Sequence, residues 1–523
     1  MSYKSTILPG KDRMIILDLF TATTLLVFII LVTKQLFYNR WPGGFHIYPP
    51  GPPGHILVGN MLDVPAKKPW VHYANWAKIY GDIMHLEAFG DHLIIISNAM
   101  LANDILERRS RMYSGRPYPG VGELTGWNFA LTLQDYSETW RKNRRTWQQN
   151  FRPDAVVQQH SAITQCVGIF LRNLLQTPEN FMCHIDLLSG GLTLSSMYGI
   201  TINSGNDDLL VHSKKTLHTI DTVFSPQFVF FTSWFSFLCF VPSWVPILGL
   251  FTQYIEHVRQ LCHEMQEIPF HKVMADINTG AINDSLVARL VQKNMADGGP
   301  DEEIQRIKNM ASTAFAASAD TTLSAIGTFF LAMAKNPKCQ ERAWQEIDEV
   351  VGRGQLPTFE DRKSLPYIEA LYREVMRWHP AIPLSVAHTA TEDNIYDGYY
   401  IPKGSMVFAN IWAMTHNEQV YEDPYQFKPE RFLTTESELN DDSTILAFGF
   451  GRRGCVGRHF AEAVLWLTIA SVLSCFKIES EKDLNGKAVD IPESYSEGPG
   501  LFSYPLPFRC SITPRHAEVG LLI

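Results

Sequence analysis

Apolar residues along this chain recur mostly at i, i+3, i+4 spacing, the period of amphipathic helices. The longest such run, Asp301 to Ala334, closes at Lys335-Asn336-Pro337, and Asp301, Glu302 and Glu303 suit the positive end of a helix. A second helix is expected from about Leu365 to Trp378, where His379-Pro380 stops it, and a third from near Arg458 to about Ser474. Strand-like stretches are fewer: Ile83 to Glu87, Leu93 to Ser97, and the turn-linked run from Asn394 to Phe408. The pattern predicts a mainly α fold with small β-sheets. No repeat, low-complexity linker or break in composition follows residue 60, so 60–523 read as one domain.

Met14 to Thr33 is a 20-residue apolar run interrupted only by Asp18 and a few threonines. A helix of that length spans about 30 Å, the hydrocarbon thickness of a bilayer. A cleaved signal peptide has a shorter apolar region followed by small residues. Here Lys34, Phe37, Tyr38, Arg40 and Trp41 follow, residue types that anchor a helix end at a membrane surface. The layout expected is an N-terminal segment 1–13, a transmembrane anchor 14–33, a hinge 34–59 and the body. Basic residues flank both ends of the anchor, so charge does not orient it. Pro49-Pro50-Gly51-Pro52-Pro53-Gly54 excludes helix and central strand and gives the hinge a stiff spacer.

With 46% apolar and 19% charged residues the chain has ample material for a core, which excludes wholesale disorder. A net charge of −9 argues against a nucleic-acid partner. The eight cysteines contain no C-x-x-C pair, so neither a disulfide framework nor a zinc ribbon is indicated and a reducing compartment is expected. Phe224 to Phe251 is dense in Phe and Trp but broken by Pro226, Pro242, Pro246 and Gly249. Such a stretch either fills a core, or dips into a membrane surface or walls a lipophilic pocket.

The segment Phe448-Gly449-Phe450-Gly451-Arg452-Arg453-Gly454-Cys455-Val456-Gly457 admits two readings. Gly449, Gly451 and Gly454 spell G-x-G-x-x-G between an apolar run and a helix, with Glu479 at the end of the next apolar stretch, which imitates a dinucleotide fingerprint. Against it, only residues 480–523 remain for further βαβ units, no alternating strand–helix pattern precedes it, and Arg452-Arg453 crowd the turn. The other reading is a loop that offers the Cys455 thiolate to a haem iron. Its glycines permit tight bends that aim N–H groups at the sulfur, and the helix after Gly457 points its positive end there.

The pattern Phe448-x-x-Gly451-x-Arg453-x-Cys455-x-Gly457 resembles the cytochrome P-450 haem segment at every defining position. Other motifs resemble that family in its order: Trp140-Arg141-Lys142-Asn143-Arg144, Glu374-Val375-Met376-Arg377 and Phe427-Lys428-Pro429-Glu430-Arg431-Phe432. The likeness covers nearly the whole chain and is nearest to microsomal, fungal members of specialised metabolism. It implies the P-450 fold, haem b (iron protoporphyrin IX) with Cys455 as axial ligand, and Phe448, Gly451 and Gly457 shaping the loop. Trp140, Arg144, His388 and Arg453 would meet the haem propionates. Glu374, Arg377 and Arg431 would form a buried structural cluster that positions the loop.

Asp320 is the lone charge between Lys308 and Lys335, and Asp320-Thr321 resembles the family's acid–alcohol pair, which relays protons during dioxygen activation. A helix cap after a local break is the other reading of Asp320. Ser318 stands where the family usually has glycine. By analogy Phe315, Ala316, Ala319, Pro383, Leu384, Val386, Leu501 and Phe502 would wall a pocket for a lipophilic substrate such as a terpenoid or aromatic polyketide. Arg141, Lys142 and Arg145, with Arg452 and Arg458, are either an ordinary charged face or a docking patch for an acidic electron donor. The resemblance implies electrons from NADPH through a cytochrome reductase, with cytochrome b5 as an optional second donor. It further implies a single-pass anchor in the endoplasmic reticulum and a cytosolic body. A dioxygen-independent haem-thiolate isomerase or dehydratase is a rival that the acid–alcohol pair argues against. A haem sensor is another, for which no output module is legible.

Overall fold

The computed structural model describes residues 47–523, apart from 56–57, 89, 118, 203–204, 206, 225–227, 230–231, 233–240, 243, 246–247, 443–444, 484 and 498–500. The anchor expected at 14–33 lies outside the described residues, as does much of the 224–251 stretch.

Helices dominate. In chain order the longer ones are α1 (Pro69–Tyr80), α2 (Glu138–Phe151), α3 (His160–Gln176), α4 (Phe181–Tyr198), α5 (Asp208–Val223) and α6 (Leu248–Thr279). Then come α7 (Leu286–Ala296), α8 (Asp301–Lys335), α9 (Pro337–Val350), α10 (Pro366–Trp378) and α11 (Arg458–Cys475). Local chemistry sets several of their ends. Ser137 caps α2 by accepting from the Trp140 N–H, Asp207 caps α5 through Leu209, and Gly199 ends α4 in the left-handed region at φ +71°.

The 35-residue α8 runs through the core, packed on α4 and α11, and is buried almost without interruption from Ala325 to Ala334. Among the described residues it is the one helix apolar and long enough to cross a bilayer, and two-thirds of its most apolar window is covered by the fold. Its apolar surface therefore serves the interior.

A four-stranded sheet is held by two antiparallel pairings and one parallel pairing. β1 (Ile83–Ala88) and β2 (Asp91–Ile96) form an antiparallel hairpin, β6 (Met406–Ala409) joins β2 in parallel, and β3 (His388–Thr389) pairs antiparallel with β6. The run expected over Asn394–Phe408 thus divides into β4 (Asn394–Tyr396), β5 (Tyr399–Ile401) and β6. Gly398 at φ +80° and Gly404 at φ +87° make the turns between them. A last pair, β7 (Phe476–Ser480) with β8 (Cys510–Pro514), returns the C-terminus to the helical core. The segment before α11 therefore sits where the sheet lobe meets the helix bundle.

Candidate active site

The cysteine loop is built on glycine geometry. Leu446–Phe448 forms a 3₁₀ turn, not a strand, so the dinucleotide reading loses the element that must precede its glycines. Gly451 has φ +58°, and a Cβ there would lie 2.1 Å from the Leu106 carbonyl oxygen. Its N–H donates to the Glu107 carboxylate at 2.6 Å. Glu107 belongs to a π-helical turn, Asn103–Arg108, whose side the loop abuts. The loop then curls so that the Cys455 N–H donates to the Phe448 carbonyl at 2.7 Å, and Gly457 caps α11.

Cys455 lies deep in the fold but opens on a cavity of about 1080 Å³, which Phe448, Gly451 and Val456 also line. Burial pushes its thiol up, while the Gly457 N–H and the Arg144 guanidinium pull the other way. Burial thus disfavours the thiolate, which a metal cation bound at this sulfur would favour.

Three arginines gather beside this loop. Arg144 of α2 donates to the Gly454 carbonyl at 2.6 Å. Arg453 donates to the Ser114 carbonyl at 2.9 Å and lies 4.3 Å over the Trp140 ring, whose indole N–H goes to the Leu131 carbonyl at 3.1 Å. Arg116, only 7% exposed, donates to the carbonyls of Thr132, Val386 and Ala387. Burial pulls Arg144 down to about 10 and Arg453 to about 9, and Arg116 falls well below the arginine range, with its two like-charged neighbours adding to the fall.

His388 completes the group. Its Nδ1 donates to the Tyr113 carbonyl at 2.7 Å, and burial beside Arg116 lowers it to about 3, so it is neutral. Arg144 Nε and Arg453 Nη2 are buried without a partner among the described residues. Unpaired donors on crowded buried cations mark a place that awaits an anion.

A third feature is a window in α8. The helix is unbroken over Asp301–Lys335, so Asp320 does not cap a new segment. Residues Ala311–Ala316 are buried, then Ala317 is exposed and Ser318 to Thr321 are half-exposed, in mid-helix. Phe315 and Ala316 are 2% and 6% exposed and pack in the core, so the turn of about 100° per residue puts Ala317 on the open side instead. The Thr321 hydroxyl donates to the Ala317 carbonyl at 2.8 Å. Ser318 does not kink the helix; its hydroxyl meets Thr193 of α4 at 2.5 Å. Burial, reinforced by Asp221, raises the Asp320 carboxyl to about 6.

The model of the cytochrome P450 family matches residues 49–499 of this chain. The chain belongs to the cytochrome P450 family. It is 37% identical over 483 residues to the cytochrome P450 monooxygenase ple1 of Rhodocybe pseudopiperita, covering 91% of each chain. It is 35% identical to cytochrome P450 monooxygenase 98 of Postia placenta, covering 91% of this chain and 92% of that one. Tryptamine 4-monooxygenase of Psilocybe cyanescens is 34% identical, covering 90% and 94%. This P450 is accordingly a monooxygenase, and the cofactor of its family is haem.

The residues present fit that group. Cys455 and Arg144 line the same cavity, the donors of Arg144 and Arg453 that lack partners among the described residues suit its two carboxylates, and Ala317 and Ala319, which do not line that cavity, are small. The structure adds two residues to those singled out from the sequence, Arg116 and Glu107. Arg116 stands in the run Tyr113-Ser114-Gly115-Arg116-Pro117, a cue to the family likeness that assigned it no site role, and Glu107 had no local cue.

The remaining expected residues lie elsewhere. Glu374 is fully buried and receives Arg377 through two bonds of 2.7 and 2.8 Å, Arg431 at 3.1 and 3.2 Å, and the Lys428 N–H at 2.7 Å. Leu384 packs with Tyr73, Met84, Leu86 and Ile95 against the sheet, Val386 lends its carbonyl to Arg116, and Leu501 and Phe502 lie against the helical core. None of the expected pocket residues lines the Cys455 cavity described above. The basic patch divides: Arg145 and Arg458 line that cavity with Arg152, whereas Arg141 and Arg452 flank the Tyr136 ring and Lys142 pairs with Glu138 at 3.7 Å.

Proposed function

We propose that this P450 transfers one oxygen atom of dioxygen to a lipophilic small molecule, a terpenoid or an aromatic polyketide or a compound of similar size, in fungal specialised metabolism. The balance is substrate plus O2 plus NADPH plus H⁺, giving oxidised product, water and NADP⁺. When bound, haem supplies the dioxygen chemistry. Cys455 would hold it by supplying the sulfur ligand of its iron, a donor that favours O–O cleavage. Arg116, Arg144, Arg453 and His388 would hold its carboxylate edge, with Trp140 placing Arg453 from beneath while its own N–H goes to the Leu131 carbonyl; a carboxylate beside His388 would favour a second proton there. Asp320 and Thr321, at the α8 window, would pass protons to the reacting centre. Leu384, Val386, Leu501 and Phe502 lie outside the Cys455 cavity and would meet the substrate away from it; their apolar character suits a lipophilic ligand. One relative is named for tryptamine, an aromatic of the size in question.

Electrons arrive from NADPH through a flavoprotein reductase, with cytochrome b5 as an optional donor. Arg145, Arg152 and Arg458 around the Cys455 cavity outnumber Glu107 and Glu462 there, a basic rim suited to an acidic partner. Residues 14–33 anchor the chain in the endoplasmic reticulum with the body in the cytosol, and exposed Trp244 and Leu250 suit contact with lipid.

The single observation that carries the reading is an open Cys455 sulfur beside Arg144 and Arg453, each with one buried nitrogen that has no partner among the described residues. The test is production in microsomes with reductase, NADPH and a metabolite extract. A product that gains one oxygen atom from ¹⁸O2 and disappears in Cys455→Ser is expected. Product formed without dioxygen would move the chain to the isomerase class.

A further inference from the structure

Monooxygenation consumes two protons per dioxygen, and those protons must cross the fold to the α8 window. Among the described residues no group hydrogen-bonds the Asp320 carboxylate, so its supply has to come from neighbours that it does not permanently hold. One row of titratable side chains leads there. Lys214, His218 and Asp221 stand at i, i+4 and i+7 of α5, which places them on one stripe. Lys214 is tied to Asp186 of α4 by an ion pair, so the stripe looks toward α4, the helix on which α8 packs.

The C-terminal segment fixes the other end of the row. The Leu501 N–H donates to Asp221 Oδ1 at 3.2 Å. Two residues on, the Ser503 carbonyl accepts from Ser324 at 2.6 Å. Ser324 is one turn beyond Asp320 on the same face of α8. Residues 501–503 thus stretch from Asp221 to the face that carries Asp320, with Tyr504 electrostatically coupled to both acids. Along the row exposure falls from His218, which is open to solvent, to Asp221 and Asp320, which are partly covered.

We propose that His218 and Asp221 are the solvent-side proton supply of Asp320, with Asp221 as the shuttle. A proton from water is taken at His218, passes through the Asp221 carboxyl to Asp320 and then to the Thr321 hydroxyl. The electrons come from NADPH, one oxygen atom goes to substrate and the other leaves as water.

The charged and titratable groups that face Asp320 are Asp186 from α4, Lys214, His218 and Asp221 from α5, and Tyr504 from the C-terminal segment. Lys214 and Asp186 neutralise each other, which leaves Asp221 as the unneutralised acid nearby. Burial raises Asp221 as it raises Asp320, and two neighbouring carboxyls of like charge favour holding one proton between them. The α5 helix therefore supplies the window without a charge stranded at either acid.

This inference rests on the proposed function, and its test separates the two. Haem-loaded protein, reductase, NADPH and dioxygen are combined without substrate in H2O and in D2O. NADPH consumption is compared with the superoxide and hydrogen peroxide released, and the remainder is oxygen fully reduced to water. Asp221→Asn keeps an oxygen for the Leu501 N–H but cannot pass a proton through it. The share of electrons ending in water is expected to fall about tenfold or more and the D2O effect to rise. Asp221→Glu should restore both, whereas a purely structural role would leave Asp221→Asn normal. His218→Gln, at an exposed site that bears little on folding, should change both readouts in the same direction by a smaller factor. A wild-type partition and isotope effect in Asp221→Asn with its carbonyl band intact, or in His218→Gln, would overturn the shuttle. A wild-type protein without that band would overturn the haem reading instead.

Discussion

Two arginine clusters in this P450 are built to opposite rules. Around Glu374, Arg377 and Arg431 share one carboxylate, and Arg377 also donates to the Thr415 and Pro424 carbonyls at 2.8 and 2.9 Å. Around Cys455, Arg116, Arg144 and Arg453 face one another, the carboxylate acting on Arg116 and Arg453 is the solvent-exposed Asp135, and Nε of Arg144 and Nη2 of Arg453 are unpaired among the described residues. A closed cluster repays the desolvation of its ions inside the protein; an open one leaves that to a ligand. On the proposed reading the contrast separates buried charges that hold the fold from those that would hold the cofactor.

Removing a charge from each cluster should therefore give opposite results. Arg377→Ala leaves the fully buried Glu374 carboxylate with Arg431 and the Lys428 N–H alone and should cost about 3–5 kcal/mol of stability, read by urea unfolding of haem-free protein. Asp320 extends the contrast to a negative charge. Its folded pKa of about 6 lies above the ordinary 3.8, so the folded state binds that proton more tightly. The penalty for ionising it is absent below about pH 4, grows as pH rises toward 6, and is fully present above. Asp320→Asn should then stabilise the protein by about 2–3 kcal/mol at pH 7, a gain that vanishes near pH 4, while turnover falls.

Arg453→Ala comes next. It should leave the urea midpoint of haem-free protein unchanged or higher, because it relieves repulsion, yet weaken haem binding about 10- to 100-fold, measured by haem transfer to an apo acceptor protein. Loss of stability without loss of haem affinity would erase the distinction between the clusters. The smallest effect expected is Glu107→Ala, at about 1–2 kcal/mol, since its carboxylate holds a single loop N–H from an exposed position. Glu107→Gln should recover most of it.

Elements with a strong period or a clear stop were legible in the sequence. The helix expected over Leu365–Trp378 is Pro366–Trp378, and that expected from Arg458 ends at Cys475, one residue past the expected Ser474. The cysteine loop was legible because glycine, arginine and cysteine at fixed spacing leave few structural alternatives. Arg116, Glu107 and Asp221 were not, because each acts across the fold: Arg116 on carbonyls 270 residues away, Glu107 on Gly451, Asp221 on Leu501. On their own elements they look like ordinary polar positions. The side of α8 that opens was also hidden, since a run of alanines has no amphipathic face to reveal whether Ala316 or Ala317 looks outward.

The most direct measurement is the reduced carbonyl spectrum of the haem-loaded wild type against Cys455→Ser. Coordination through this sulfur gives the wild type the long-wavelength Soret band of thiolate-ligated haem and the variant none. The same band persisting in Cys455→Ser, or an imidazole-type spectrum in the wild type, would contradict the assignment of the ligand and of everything arranged around it.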